Sequence, residues 1–230
     1  MHSNETIDFH NTIAAQFDRK YVSSAAFLER FRVWTDLFSR YINPSDRVTD
    51  LGCGSGIFSN YLAGKGCYVI GIDGSATMIE LCNRKKTSAH VHYVQQFLPL
   101  ADISAYHPQD VVLMSSLLEY IDDIAQMIQQ VRHLLKPNGL FIVSMPNALS
   151  VYRRTERILF QLIGQPRYVA YIRNRSTVEE FRRQLIDSGF EIIETAYFST
   201  HDPVSTVLKP FLAECYISNL FVVVCRNVAG

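Results

Sequence analysis

The apolar positions of the chain begin with a helical spacing. Phe27, Leu28, Phe31, Trp34, Leu37, Phe38, Tyr41 and Ile42 recur every three to four residues along one face, and Asn43-Pro44-Ser45 ends the run. From Arg47 the period changes. Short β-type runs over 47–51, 68–72, 91–94, 110–114 and 140–144 alternate with helical patterns over 57–64 and 76–86. A third helical pattern presents Ile121, Ile124, Ala125, Ile128, Val131 and Leu135, and Lys136-Pro137-Asn138-Gly139 turns the chain into the next run. Strands alternating with helices predict an α/β fold, a parallel sheet covered by helices on both faces.

The alternation breaks at 146–175, a stretch rich in Arg and Tyr that contains Gly164-Gln165-Pro166 and reads as an insertion with a helix over 149–163. Regularity returns with a helix opened by a capping box, Ser176 with Glu179 or Thr177 with Glu180, and ended near Gly189. A strand over 191–196, a long connection over 197–218 and a last strand over 220–225 follow. No repeat or linker divides the 230 residues. The expected organisation is one domain over 1–230, with an N-terminal helical cover over 1–43 and a lid over 146–175.

Composition narrows the class. With 48% hydrophobic residues the chain can bury a full core, and 22 Lys+Arg against 22 Asp+Glu argue against a protein that coats nucleic acid by charge. Five cysteines, with no C-x-x-C pair and no clustered histidines, disfavour a disulfide framework and a zinc site, so no metal is expected. The polar, acidic start and the lack of a run of about 18 apolar residues lead us to expect a cytoplasmic protein with no integral membrane segment. Nothing in the sequence sets an oligomeric state.

The most informative residues are Val48-Thr49-Asp50-Leu51-Gly52-Cys53-Gly54-Ser55-Gly56, a β-type run flowing into three alternate glycines and then a helix. Glycines there let the backbone pass close to a ligand at the carboxyl edge of the sheet. A dinucleotide fingerprint would want glycine at position 57, where this chain has Ile57. Asp50 before the turn is awkward for a phosphate and suits a cationic ligand such as the sulfonium or ammonium of S-adenosylmethionine. Asp73, seventeen residues after Gly56, ends a second β-type run, where a carboxylate can accept both hydroxyls of a ribose.

On these residues the chain resembles the class I S-adenosylmethionine-dependent methyltransferases, over about 46–145 and more loosely to the end. Asp110 to Tyr120 and Leu134 to Leu140 match as well. The resemblance implies a Rossmann-like seven-stranded sheet with the last strand antiparallel and S-adenosylmethionine as cofactor, leaving S-adenosylhomocysteine as product. Within the family the chain is most similar to the group of ubiquinone-pathway O-methyltransferases, which carry a helical lid at the position of 146–175. The resemblance carries cofactor-binding roles to Asp50, Gly52, Cys53, Gly54, Gly56, Asp73, Gly74, Met78, Phe97 and Ser115. The family often has an acid near the adenine amino group; here Gln96 offers an amide instead. Many relatives carry His where this chain has Tyr120.

The expected reaction is in-line transfer of a methyl group to a small organic molecule, with a hydroxyl oxygen as the favoured acceptor. N- or carboxyl-methylation, or a regulatory protein that binds the cofactor without transfer, are the alternatives. A hydroxyl must lose a proton, and general-base help is worth about 10² to 10⁴-fold. His201, on the loop after the sixth strand, and Glu119 and Tyr120, after the fourth, are the candidates. Solvation is the competing role for His201, and starting a helix is the competing role for the other two. Tyr21, Trp34, Tyr152 and Arg153 are candidate substrate contacts, with core packing the competing role for Trp34. From Ser150 to Arg183 eight arginines face three glutamates, a local +5. That segment is either a solvated face or a means of recognising an anionic or lipophilic substrate, the latter by touching an anionic membrane. Its tyrosines bring no nucleic-acid motif, and no nucleic-acid partner is expected.

Overall fold

Seven strands join in one sheet whose two faces follow from the alternation of the sequence. The computed structural model describes Ile7, Asn11, residues 24–106 and residues 108–228. Tyr21 lies outside the described residues. The strands are β1 (Arg47–Leu51), β2 (Tyr68–Asp73), β3 (Val91–Gln95), β4 (Gln109–Met114), β5 (Leu135–Pro146), β6 (Phe190–Phe198) and β7 (Leu220–Asn227), in the order β3-β2-β1-β4-β5-β7-β6. Neighbours from β3 to β5 pair parallel, and β7 runs antiparallel to both β5 and β6. This is the seven-stranded sheet that the resemblance implies. The strand order reverses between β1 and β4, so the loops that follow them open a crevice at the carboxyl edge.

The helices are α1 (Ala25–Tyr41), α2 (Ile57–Gly64), α3 (Ala76–Lys85), α4 (Ile124–Leu134), α5 (Val151–Ile163), α6 (Val178–Asp187), α7 (Pro203–Leu208) and α8 (Glu214–Ile217). Successive strand residues point to opposite faces. Val111, Leu113, Ile142, Val222 and Val224 therefore pack with Trp34, Phe38, Phe58 and Leu62 on the face of α1 and α2. Val112, Met114, Phe141, Val143 and Val223 pack with Ile128, Val131, Phe181 and Leu185 on the face of α4 and α6. Trp34 is fully buried and stacks on Phe58 at 5.3 Å, so it anchors α1 to the sheet.

Local rules settle several boundaries. Of the two capping boxes open to α6, the chain forms that of Thr177 with Glu180. β5 begins earlier than its apolar run, at Leu135, and passes through Asn138 at φ +64°. The connection over 197–218 holds α7 and α8, which are six and four residues long and too short to show a helical period. Asp202 starts α7 by accepting from the Ser205 N–H at 2.8 Å. Among the described residues no helix is long and apolar enough to cross a membrane.

The 146–175 segment is tied to the sheet at both ends. The Asn147 side-chain amide donates to the carbonyls of Cys215 (2.6 Å) and Ser218 (2.8 Å). The Arg173 and Asn174 N–H groups donate to the Glu119 carbonyl at 2.8 and 3.2 Å, and the Asn174 amide donates to that of Leu118 at 2.9 Å. The segment thereby grips the 3₁₀ turn Leu118–Tyr120 that follows β4.

Candidate active site

At the crevice β1 runs into the glycine turn, and Gly52, Gly54 and Gly56 adopt φ of +69°, +53° and +72°. A side chain there is strained. It would also lack room: a Cβ on Gly52 would stand 2.8 Å from Leu117 Cδ1, and one on Gly56 2.6 Å from the Tyr93 hydroxyl oxygen. The Gly52 and Cys53 N–H groups donate to the Ile72 carbonyl at 2.7 and 3.0 Å. The Gly54 N–H donates to Asp73 Oδ2 (2.9 Å) and the Ser75 N–H to Asp73 Oδ1 (2.8 Å). These two backbone donors fix the orientation of the Asp73 carboxylate.

The turn forms one wall of a cavity of about 180 Å³. Asp50, Gly52, Cys53, Gly54, Asp73, Gly74, Met78, Phe97, Ser115 and Tyr120, all singled out from the sequence, line it. Gly56 stands behind the wall as the N-cap of α2, and Gln96 turns its Oε1 to accept from the Tyr106 hydroxyl at 2.9 Å. Arg30 and Ser75 also line the cavity and had no sequence signal, and Ser116 and Leu117 line it from within the matching stretch Asp110 to Tyr120. Arg30 reaches in from α1, and its Nη2 donates to Ser115 Oγ (2.6 Å) and to the Ser115 carbonyl (3.0 Å). Its Nε is buried without a partner. Ser116 sits at φ +54°, held by its N–H donating to Ser144 Oγ at 2.8 Å. The chain after β4 is thus bent toward the cavity.

Two buried carboxyls bear on the site: Asp50 lines the cavity, whereas Glu119 stands behind its wall, between the lining residues Leu117 and Tyr120. Asp50 is 2% exposed and accepts from the Ser59 hydroxyl at 2.6 Å. Burial pushes it up to about 7; the Ser59 hydrogen bond opposes this, the Asp73 charge adds to it, and the Arg30 charge opposes it. Glu119 is 4% exposed, and its Oε2 has no hydrogen-bond partner. Burial pushes it up to about 6, against its own backbone, the Arg30 and Arg153 charges and the Ser116 hydroxyl. Burial and then the Glu119 charge hold the Tyr120 hydroxyl well above its ordinary value.

The other candidates lie outside the cavity wall. His201 Nδ1 is 2.8 Å from Glu29 Oε2 of α1, on a half-exposed side chain. Arg153 Nη1 donates to Glu156 Oε2 (2.9 Å) and to the Tyr168 hydroxyl (3.2 Å), and Tyr152 is pushed up to about 12, chiefly by burial. Arg153 still bears on the site through its charge on Glu119.

A crevice at the strand-order reversal, a left-handed glycine turn and an acid at the end of β2 are the marks the sequence resemblance implied. A family model described as a methyltransferase domain matches residues 26–195. The chain belongs to this methyltransferase-domain family. Among curated relatives of the domain, a ubiquinone biosynthesis O-methyltransferase of Bradyrhizobium diazoefficiens is 25% identical over 155 residues, which are 64% of this chain and 59% of the relative. One of Histophilus somni is 34% identical over 107 residues, 44% of this chain and 45% of the relative. The chain spans about half the length of these relatives. The magnesium protoporphyrin IX methyltransferase of Synechocystis, solved with S-adenosylhomocysteine bound, superposes with a TM-score of 0.74 over 99% of this chain and 100% of that one, at 19% identity. At that identity the likeness is one of fold, and the fold is that of the S-adenosylmethionine-dependent methyltransferases.

Proposed function

We propose that this domain transfers a methyl group from S-adenosylmethionine to a hydroxyl oxygen of a small organic molecule, lipophilic or anionic in character. The observation that carries the reading is Glu119, a buried carboxyl with an unpartnered oxygen on the turn that also supplies Tyr120 to the cavity wall. The names of the Bradyrhizobium and Histophilus relatives support oxygen as the acceptor atom.

The cavity suits the cofactor. A Cβ at Gly52 would fill the close approach, Asp73 is oriented by backbone donors to take ribose hydroxyls, and Met78 and Phe97 offer apolar surface for the adenine. Asp50 opposes the positive charge. When bound, S-adenosylmethionine supplies an electrophilic methyl carbon on a sulfonium. The chain supplies the rest. Glu119 takes the proton that the acceptor hydroxyl sheds, and the charges of Arg30 and Arg153 keep it ionised at neutral pH. Tyr120, protonated at that pH, donates a hydrogen bond that orients the acceptor. The 146–175 segment acts as the lid, because it grips the turn carrying both residues. Offering phenolic, amine and carboxylate acceptors with S-adenosylmethionine should give S-adenosylhomocysteine and a methyl ether from the phenols; transfer confined to amines or carboxylates overturns the choice of oxygen.

Asp50 makes cofactor binding pH-dependent. A cation beside a carboxyl raised to about 7 favours its ionised form, so binding expels a proton and tightens as pH rises through 7. S-adenosylmethionine should bind about tenfold tighter at pH 8 than at pH 6, and Asp50→Asn should flatten the dependence. Titration calorimetry in buffers of different ionisation enthalpy measures the released proton; an affinity that is level from pH 6 to 8 removes Asp50 from the cation's surroundings.

A further inference from the structure

We propose that Ser59 and Tyr93 are positioning residues for Asp50, and that one hydroxyl proton shared between two acceptors lets this buried carboxyl hold its proton before the cofactor cation enters and release it afterwards. The inference rests on the reading of Asp50 as the group opposed to the sulfonium. The buried face of α2 is Phe58, Ser59, Leu62 and Ala63, so Ser59 is its one polar member. A buried hydroxyl is costly unless it is hydrogen-bonded. Ser59 is fully buried, and from the first turn of α2 it donates to Asp50 Oδ2 at 2.6 Å. Tyr93 of β3 completes the set. Its ring fills space that glycines leave, since a Cβ on Gly71 would stand 2.7 Å from Tyr93 Cδ1. The Tyr93 hydroxyl is hydrogen-bonded with Ser59 and donates its own proton to the Gly56 carbonyl at 3.3 Å.

The count of protons gives the mechanism. Burial holds the Tyr93 phenol well above its ordinary value, so it keeps its proton at neutral pH, and with that proton on Gly56 its oxygen is an acceptor toward Ser59. Ser59 therefore has one proton and two acceptors. Beside ionised Asp50 it donates to the carboxylate. Beside protonated Asp50 it accepts from the acid and turns its own proton to Tyr93. Every hydroxyl of the set keeps a partner in both states, so the carboxyl titrates without leaving a buried polar group unpaired. The other groups around Asp50 act from separate elements. The Arg30 charge of α1 favours the ionised form, the Asp73 charge of β2 opposes it, and the Cys53 thiol is held protonated by its hydrogen bond with Cys82 of α3 and by burial. On β4 the residue in register with Asp50 is Leu113, which carries no charge. The released proton reaches solvent through the cavity that Asp50 lines.

The test is carboxyl-carbon NMR of the full chain labelled at aspartate, without cofactor, with the Asp50 signal assigned by its loss in Asp50→Asn. Ser59→Ala removes a hydrogen bond to a charged acceptor and should move the Asp50 titration up by about one pH unit. Ser59→Cys, a weaker donor of nearly the same shape, should move it less. Tyr93→Phe keeps the ring but removes the acceptor that the protonated state needs, and it should move the titration down by about half a pH unit. Opposite shifts mark a shared proton, because looser packing at either residue would admit water and move both the same way. In calorimetry Ser59→Ala should bind S-adenosylmethionine about fivefold more weakly than the wild type at pH 7, and the ratio should return to one by pH 9. An Asp50 titration left in place by Ser59→Ala, or moved in the same direction by Ser59→Ala and Tyr93→Phe, overturns the proposal. A titration that moves as expected while cofactor affinity ignores it overturns instead the reading of Asp50 as the cation's partner, so the two failures are told apart.

Discussion

Replacing Glu119 by glutamine is expected to lower kcat by about 10² to 10⁴-fold, the range supplied by a positioned general base. The variant keeps the shape and removes only the ability to take a proton, so S-adenosylhomocysteine should bind as before. The pH profile separates a base from a structural residue. With Glu119 raised to about 6, kcat should climb through that pH and level above it, and the glutamine variant should lose the climb. Stability should move the opposite way. A carboxyl raised in the fold holds its proton more tightly than in the unfolded chain, so the wild type loses stability as pH rises from about 4 through 6. The glutamine variant escapes that loss. Unchanged turnover in Glu119→Gln transfers the role of base to another group, and His201→Ala is then the variant to measure, with lost turnover and retained cofactor affinity as its mark.

Asp73→Ala should raise the Kd for S-adenosylmethionine and S-adenosylhomocysteine alike by at least about 10²-fold. Hydrogen bonds to a charged acceptor are worth about 1.5 to 3 kcal/mol each, and two ribose hydroxyls would lose theirs. The substitution also strips the Gly54 and Ser75 N–H groups of the oxygens that hold the turn against β2. Asp73→Asn keeps one carbonyl oxygen and should fall between the two, which distinguishes lost acceptors from a collapsed turn. Both ligands carry the ribose, so the two affinities should fall together. A fall for the sulfonium form alone would instead assign Asp73 to charge and not to ribose.

The cofactor half of the site was legible because its signals are local. Three glycines at alternate positions imply left-handed backbone whatever surrounds them, and they take φ of +53° to +72° here. An acid at the end of an apolar run lies at the carboxyl edge once the run is a strand, and Asp73 does. Alternation within the runs set which residues share a face of the sheet. The acceptor half was less legible. Arg30 lies within an aromatic helical pattern, and its contact with Ser115, 85 residues away, has no local trace. His201 follows the sixth strand, as expected, yet the chain ties it to Glu29 across the sheet's edge. Charge counting found the arginines of 150–183 but not the inverted α5, whose only buried residue is an acid.

By itself the sequence determined the order of the seven strands and of the six longer helices, the glycine turn and the two acids beside it, because these depend on backbone freedom and on periods of two and 3.6 residues. Only the tertiary structure decided that Asp50, Glu119 and Glu156 are buried carboxyls, that Trp34 belongs to the core, and that α5 turns its leucines outward. Desolvation is set by segments distant in the chain, and it is desolvation that raises the Glu119 carboxyl to about 6.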